Sequence, residues 1–222
     1  DFKNLFYPRP VDALWGVGES TKKALAKIGV RTVGDLAGKK EKELSAYFGK
    51  NGEGLYVISK GYDNTEVFSH ENQPHDKSMS HETTLAADLS EIEKIYSTLL
   101  WLSDKVARRL RKYNYWGRTV SVKVRSSDFR TITRDKTLSS PTDQCRVIYG
   151  TARKLIPRDY GPRIKVRLLG VRVSHLERKN EEVQLSLLDD FSKRKLAETS
   201  KAVDSIRNRF GESVLVLGGT RL

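Results

Sequence analysis

The sequence predicts an α+β protein made of a small all-helical domain, a larger domain of order βαββαβ and a helical tail. Three observations lead to this prediction. Residues 1–65 contain short apolar periods of helical spacing that end at glycines. Residues 90–114 carry one long apolar stripe at helical spacing. Residues 118–126 alternate valines with polar side chains, as a half-buried strand does.

Composition sets broad limits on function. The chain has 222 residues and a net charge of +13, which favours a polyanionic partner over an inert basic surface. No run of about 18 apolar residues and no basic amphipathic helix with a large aromatic face is present, so no membrane partner is expected. The N-terminus has no signal-peptide features and no starting methionine, which suggests a fragment or a processed chain. The single cysteine, Cys145, excludes an internal disulfide and is compatible with a reducing, cytoplasmic location.

The most informative stretch is a glycine turn between two short helices. Gly16 and Gly18 flank Val17, and glycine supplies the positive φ and the close backbone approach of such a turn. The free N–H groups of the helix that follows form a ready site for an anion. A tight packing turn is the alternative, but the apolar residues around the glycines and the closing Gly29-Val30 favour a helix-hairpin-helix, a non-specific clamp for the DNA backbone. The candidate phosphate-binding residues are Gly16, Val17, Gly18, Ser20, Thr21, Lys22 and Lys23.

The other helices of the first domain are predicted to be short. Thr32 is placed to cap one of them through its side-chain oxygen. Residues 40–48 are predicted to form another, with Tyr47 packed inward, and residues 54–60 a last one. The polar, aperiodic residues 66–76 are the predicted linker. The residues predicted to end these helices are Gly29, Gly49 and Gly61.

Residues 77–178 are predicted to form the second domain, a split-βαβ arrangement of order βαββαβ. Ser90 is predicted to cap the long helix, and Thr142 to start the shorter one with Val147 inward. Both helices must then cross on one side of the sheet, which leaves the other face free. The predicted strands are residues 77–85, 118–126, 131–138 and 164–173.

The free face of the hairpin formed by the second and third strands is predicted to be basic. Its side chains are Arg, Lys, Thr and Ser, with Asp128 and Asp135 as the few acids, and such a face can hold phosphates along a groove. An ordinary solvent-facing sheet is the alternative. The face has no aromatic platform, which argues against recognition of single strands or RNA by stacking. The candidate residues are Arg118, Thr119, Ser121, Lys123, Arg125, Arg130, Thr131, Thr133 and Lys136.

Residues 179–222 are predicted to form a tail that contains a helix from Ser192 to Arg209. An unexpectedly apolar segment, residues 183–191, precedes this helix. The segment either folds back to help bury the helix or acts as a short peptide anchor in a pocket of a partner protein.

Together these parts resemble the C-terminal half of a bacterial Y-family, translesion DNA polymerase of the DNA polymerase IV / UmuC type. Residues 15–21, Trp-Gly-Val-Gly-Glu-Ser-Thr, and residues 28–36 resemble that family's thumb domain. Residues 77–84, Lys-Ser-Met-Ser-His-Glu-Thr-Thr, resemble the first strand of its little-finger domain, and residues 117–120 resemble the strand after the long helix. Residues 184–188, Gln-Leu-Ser-Leu-Leu, are similar to its sliding-clamp-binding peptide.

The resemblance implies a thumb at residues 1–65 and a little finger at residues 77–178, which together hold primer–template duplex DNA without sequence preference. It adds Lys77, Ser78 and Ser80 to the DNA-binding residues of the little finger. It also implies a tether to the sliding clamp, although leucine stands at the last position of the peptide, where phenylalanine is usual. The residues of this peptide are Gln184, Leu185, Ser186, Leu187 and Leu188.

The palm and fingers of that family are missing from this sequence, which has no Ser-x-Asp-Glu or comparable acidic signature to hold two Mg²⁺ ions for nucleotidyl transfer. No cofactor is therefore expected in this fragment, and Mg²⁺ is implied for the missing palm. We do not expect the chain to polymerise DNA by itself. Two alternatives stay open: a stand-alone helix-hairpin-helix repair module that binds DNA, and a protein-interaction adaptor whose sheet binds an acidic protein.

Overall fold

The computed structural model describes residues 1–63, 76–179 and 191–220, the last range without the side chains of residues 191–194. The chain divides into two compact units, Asp1–Gln73 and Pro74–Leu222. The predicted linker spans this division, and the predicted clamp-binding peptide lies outside the described residues. None of the helices in these ranges is long and apolar enough to cross a membrane.

The first unit is all helical in its described part. Its helices are short because three glycines with positive φ follow them: Gly29 at +77°, Gly49 at +58° and Gly61 at +81°. The elements are α1 (Phe2–Phe6), a 3₁₀ turn (Val11–Ala13), α2 (Glu19–Lys27), α3 (Val33–Gly38), α4 (Glu41–Phe48) and α5 (Lys50–Ser59).

One small apolar core holds these helices together, and its largest members have no exposed surface. Burial of a side chain of this size contributes about 1.5–3 kcal/mol. Tyr47 does not belong to this core: the prediction that it packs inward is wrong, because Leu44 fills the buried side of α4 and leaves the tyrosine exposed. The fully buried residues include Val11, Leu25, Val30, Val33, Leu36 and Leu44.

Thr32 begins α3 with a capping box, as its side chain predicts. The Thr32 hydroxyl accepts a hydrogen bond from the Asp35 N–H at 3.1 Å, and the Asp35 carboxylate accepts one from the Thr32 N–H at 2.9 Å. Each side chain thus satisfies one free N–H group of the helix start. The backbone bonds from Thr32 and Arg31 also lower the pKa of Asp35.

The second unit has the predicted βαββαβ order, followed by a further helix, so the predicted α+β fold is confirmed. All neighbouring strands are antiparallel, in the order β1-β4-β2-β3. Each helical crossover therefore passes over one intervening strand, which makes both of them split βαβ units. The elements are β1 (Ser78–Leu89), α6 (Ile92–Lys112), β2 (Tyr115–Ser126), β3 (Thr131–Thr142), α7 (Cys145–Leu155), β4 (Val166–Arg178) and α8 (Phe191–Phe210).

Helices α6 and α7 cover one face of the sheet. Val120, Val122 and Val124 of β2 enter the core with the apolar stripe of α6, which includes Leu99 and Leu102. Because successive side chains of a strand point to opposite faces, the residues between these valines lie on the other side. We call that side the outer sheet face.

Three details of the helix starts differ from the predictions. The N-cap of α6 is Glu91 rather than Ser90, and no side chain bonds the helix end. Helix α7 starts at Cys145, because Thr142 still belongs to β3 and its hydroxyl accepts a hydrogen bond from the Gln144 N–H at 3.1 Å. In the helix that begins at Cys145, Val147 is exposed and Ile148 is buried in its place.

The tail helix α8 packs on α6 through charged side chains. Arg111 of α6 donates two hydrogen bonds to Asp204 of α8, at 2.6 and 3.0 Å. Arg207 of α8 donates one to Asp104 of α6 at 2.7 Å. Ile206, one of the apolar residues of this helix, remains exposed. Polar contacts rather than an apolar stripe therefore place α8.

Candidate nucleic-acid interface

The glycine turn is a tight turn whose ends are fixed in the core. The Val17 N–H donates to the Leu14 carbonyl at 3.2 Å, and both side chains are buried. Gly16 has φ +86°, the value that a type II turn requires at its third residue. Gly18 has φ −83° and ψ 178°, which any residue adopts. The requirement for glycine through positive φ therefore holds only at Gly16.

The N-terminus of α2 follows this turn directly. The first bond inside the helix runs from the Lys22 N–H to the Gly18 carbonyl at 2.9 Å. The N–H groups of Glu19, Ser20 and Thr21 come before it and have no partner within the helix. The N-cap Gly18 has no side chain that could bond them. These N–H groups and the positive end of the helix dipole suit an anion.

The two lysines of α2 differ in how strongly they are held. Lys22 donates to Asp12 at 2.7 Å, and this hydrogen bond lowers the pKa of Asp12 and raises the pKa of Lys22. Lys23 lies 3.4 Å from Glu19, and both side chains are exposed. Pairs of this exposed kind contribute little. Lys23 is consequently the more available of the two for a phosphate.

The strand register arranges the outer sheet face in four rows that run across the sheet. Each row takes one residue from every strand, in the order β1, β4, β2, β3. Hydroxyl side chains dominate the first row, and cations occupy the middle of the others. The rows are Ser78–Ser174–Thr119–Thr137, Ser80–Arg172–Ser121–Asp135, Glu82–Gly170–Lys123–Thr133 and Thr84–Leu168–Arg125–Thr131.

The charges on these rows are three cations and two carboxylates. Lys123 donates to Glu82 at 2.9 Å across Gly170, whose missing side chain leaves room between them. Arg125 donates to the Thr131 hydroxyl at 2.8 Å. Arg172, in the middle of the sheet, is exposed. The outer sheet face thus carries one more cation than carboxylates, and Glu82 was not among its predicted acids.

Several predicted residues offer no accessible polar group on this face. Thr119 is only 5% exposed, and its hydroxyl is hydrogen-bonded to Thr137 and His175, each at 2.9 Å. Ser121 is also buried, and its hydroxyl has no hydrogen-bond partner in the described part of the chain. Lys136 pairs with Val120, a core residue, so it lies on the opposite face of β3. The placement of Lys136 on the basic face is therefore corrected.

The remaining predicted cations lie outside these four rows. Arg118 is half-buried and bonds the Glu177 carboxylate at 3.3 Å and the Ser139 carbonyl at 3.4 Å. Arg130 is 86% exposed at the β2–β3 turn, 3.3 Å from Asp128. Lys77 is exposed just before the edge strand β1. Arg172 was not among the predicted candidates, although its position between two core valines of β4 indicates that it faces outward.

Comparisons with known proteins give a separate family match for each of the two units. Residues 12–63 match the family model described as the DNA polymerase-iota thumb domain. Residues 76–187, half of the chain, match the C-terminal domain of the impB/mucB/samB family. This chain belongs to the Y-family DNA polymerases. The first unit corresponds to the Y-family thumb and the second to the little finger, extended by α8.

Individual Y-family relatives agree with this assignment. The chain is 39% identical over 212 residues to DNA polymerase IV of Desulfatibacillum aliphaticivorans, which covers 94% of this chain and 52% of that protein. It is 32% identical over 225 residues to DNA polymerase IV of Clostridium kluyveri, covering 98% and 56%. The chain spans about half the length of the curated relatives that it matches.

A solved structure shows the same fold. A Y-family DNA polymerase chimera superposes with a TM-score of 0.57 at 19% sequence identity, over 80% of this chain and 50% of the chimera. Within residues 1–63, 76–179 and 191–220, no group of three or more His, Cys, Asp or Glu residues could hold a metal ion. Apart from the carboxylates of Glu82 and Asp135, the candidate groups of this Y-family chain are N–H groups, hydroxyls and cations.

Proposed function

We propose that this chain binds primer–template duplex DNA, including damaged DNA, without sequence preference, as the thumb and little finger of a translesion DNA polymerase. The observation that carries the proposal is the outer sheet face, where rows of hydroxyls surround Lys123, Arg125 and Arg172 in a chain of net charge +13. Such groups bind phosphate and sugar, and these contacts position a protein on DNA without reading bases. The cytoplasm is the proposed location.

The thumb supplies a second contact to the backbone. The free N–H groups at the start of α2 donate hydrogen bonds to a phosphate. Lys23 exchanges its weak ion pair with Glu19 for a contact with the same DNA strand. Ser20 and Thr21 offer hydroxyls at the same helix end. Because the thumb and the sheet both bind backbone, the two contacts add affinity and set orientation, and neither selects a sequence.

In this proposal the reaction itself is catalysed by other domains. We assign nucleotidyl transfer, and the Mg²⁺ ions that would stabilise its attacking and leaving oxygens, to palm and fingers domains outside these 222 residues. The interface residues described above provide no group of acids for this task. The role of this chain is to hold the duplex in place for that reaction.

The proposed tether to the sliding clamp uses the peptide Gln184–Leu188, whose leucines would enter an apolar pocket. A pull-down with the bacterial β clamp tests it. We expect Gln184→Ala combined with Leu187→Ala to abolish retention of the chain, and Ser186→Ala to leave it nearly unchanged. Equal retention of the double variant and the wild type would remove the tether from the proposal.

Salt dependence tests the DNA proposal most directly. A fluorescently labelled duplex is titrated with the chain between 50 and 200 mM salt, and the experiment is repeated with a second duplex of unrelated sequence. Counterion release predicts an affinity loss on the order of 10³ or more over this range if several phosphates are engaged. The two duplexes should bind equally. An affinity that does not change with salt concentration, or that depends strongly on base sequence, would contradict the proposal.

A further inference from the structure

Trp15 is the most exposed large apolar side chain in the described part of the chain, with 92% of its surface accessible. An indole in water forgoes a large stabilisation, because tryptophan buries on the order of 150–250 Å² when it is covered. Trp101 and Trp116, the other two tryptophans, are both partly buried. The exposure of Trp15 is therefore a local feature of the glycine turn and not a general property of tryptophan in this protein.

The turn fixes the backbone of this residue. Trp15 is the second residue of the turn that the Val17 N–H closes on the Leu14 carbonyl, and its neighbour Gly16 has φ +86°. Leu14 and Val17 are buried on either side, so the core fixes both ends of the turn. Because the backbone of Trp15 is already fixed, a partner that covers the indole orders only the side chain.

The surroundings indicate what kind of partner fits. The free N–H groups of Glu19, Ser20 and Thr21 begin four residues after Trp15, and Lys23 lies on the same helix start. The residue that carries this apolar indole thus comes four residues before groups that suit an anion. A DNA strand has the same alternation, since each phosphate is flanked by a deoxyribose ring with an apolar surface. Base stacking is less suitable because the bases of a duplex are already stacked.

We propose that Trp15 packs on the deoxyribose next to the phosphate held at the N-terminus of α2, and that it is a main apolar contact of the thumb with duplex DNA. This inference rests on the proposed function. It differs from the phosphate contacts in one measurable respect: packing on a sugar displaces water but releases no counterions. Loss of Trp15 should therefore change the affinity for DNA and leave its salt dependence unchanged.

The test compares Trp15→Ala and Trp15→Phe with the wild-type chain in the labelled-duplex titration at several salt concentrations. Trp15→Ala should weaken binding about tenfold at every salt concentration, within the range of buried aromatic contacts, and Trp15→Phe should weaken it less. Lys23→Ala should instead reduce the slope of log affinity against log salt by about 0.9. Tyr47→Ala, which removes another exposed aromatic ring of the same unit, is the matched control and should bind normally.

Equal affinities of Trp15→Ala and the wild type would overturn the inference and would indicate that another protein surface covers the indole. A loss that comes with a smaller salt slope would overturn it as well, because phosphate contacts would then have been lost. Absence of binding by the wild-type chain would overturn the proposed function itself, together with this inference.

A second readout does not depend on affinity. The double variant Trp101→Phe/Trp116→Phe keeps Trp15 as its only tryptophan. Its emission should shift to the blue and become less accessible to acrylamide when unlabelled duplex saturates it, because the sugar replaces water around the indole. Unchanged emission and quenching in a saturated complex would overturn the inference even if Trp15→Ala binds weakly.

Discussion

Arg207 of α8 donates a hydrogen bond to Asp104 of α6 at 2.7 Å, and the two side chains are only 6% and 17% exposed. Arg207 donates a second bond to the Leu215 carbonyl at 2.9 Å. Burial of two ions costs desolvation free energy, and their mutual attraction offsets this cost. The tail helix is therefore held on the little finger mainly by charge.

Removal of one partner of this pair should destabilise the second unit strongly. Asp104→Ala leaves the Arg207 guanidinium buried without its carboxylate, and we expect the free energy of unfolding to fall by about 3 kcal/mol. Urea denaturation followed by circular dichroism measures the change. The control is Glu91→Ala, which breaks an exposed pair with Lys94 at 2.7 Å and should change stability by less than about 1 kcal/mol.

The double variant Asp104→Leu/Arg207→Met distinguishes loss of the ion pair from the cost of leaving one buried ion unpaired. It removes both charges together and should be more stable than Asp104→Ala alone, because no buried ion is left unpaired. If Asp104→Ala is no more destabilising than Glu91→Ala, the pair is not buried in solution and α8 does not pack on α6 as described.

The single cysteine reports on the same interface. Burial raises the pKa of the Cys145 thiol from 9.0 to about 12, with the Asp104 charge as a further cause. Only about one thiol in 10⁴ is then ionised at pH 8, so a disulfide reagent should label the folded chain about a thousandfold more slowly than the unfolded chain. Asp104→Ala should speed this labelling, because it removes a charge that raises the thiol pKa and also breaks the ion pair that holds α8 on α6. Rapid labelling of the folded wild type contradicts this prediction.

The raised pKa of Cys145 also predicts how stability depends on pH. The folded thiol keeps its proton to higher pH than the unfolded thiol. Its contribution to the free energy of unfolding is therefore complete below pH 9 and is lost as the pH rises towards 12. Over this range the free energy of unfolding should fall more steeply for the wild type than for Cys145→Ala, by up to about 1.4 kcal/mol per pH unit. The two chains differ only at residue 145, so parallel curves would contradict the shift.

Alternation along a single strand was enough to predict which residues of β2 face the core. It was not enough for burial, because Thr119 is covered by Thr137 and His175, and these residues come from two other strands. Lys136 shows a different kind of error. It follows Thr131 and Thr133 by an odd number of positions, so alternation along β3 alone places it on the opposite face from them. The register confirms this, because it pairs Lys136 with the core residue Val120.

Long-range partners account for the rest of what the sequence could not show. The ion pair between Lys123 and Glu82 joins strands that are not neighbours in the sheet, and it forms because Gly170 lies between them. The helix at residues 191–210 was predictable in position, but its packing through Arg207 and Asp204 depends on which charges α6 offers. Local patterns carry no information about either contact.

Two glycines of α5 should respond to alanine in opposite ways. A Cβ at Gly52 would lie 2.2 Å from the Leu44 carbonyl oxygen, so the backbones of α4 and α5 must separate, and Gly52→Ala should cost about 3 kcal/mol. A Cβ at Gly54 meets nothing within 4 Å, so Gly54→Ala should stabilise the helix by about 0.5–1 kcal/mol. Thermal unfolding of both variants measures the difference. Equal effects would mean that α4 and α5 are not packed this closely.

Arg172 provides the sharpest test of the outer sheet face, because it lies in the central row beside Ser121 and is exposed. If its guanidinium neutralises one phosphate, Arg172→Ala should weaken binding of the labelled duplex and reduce the slope of log affinity against log salt by about 0.9. The reduction should be the same for duplexes of unrelated sequence, because phosphate contacts carry no base information.

The matched control is Lys201→Ala, which removes an exposed cation from α8, on the helix side of the sheet. It lowers the net charge of the chain by the same amount as Arg172→Ala. If attraction to DNA came only from net charge, both variants would lose affinity and slope equally. A larger effect at Arg172 locates the DNA on the outer sheet face, whereas equal effects would remove this face from the proposed interface.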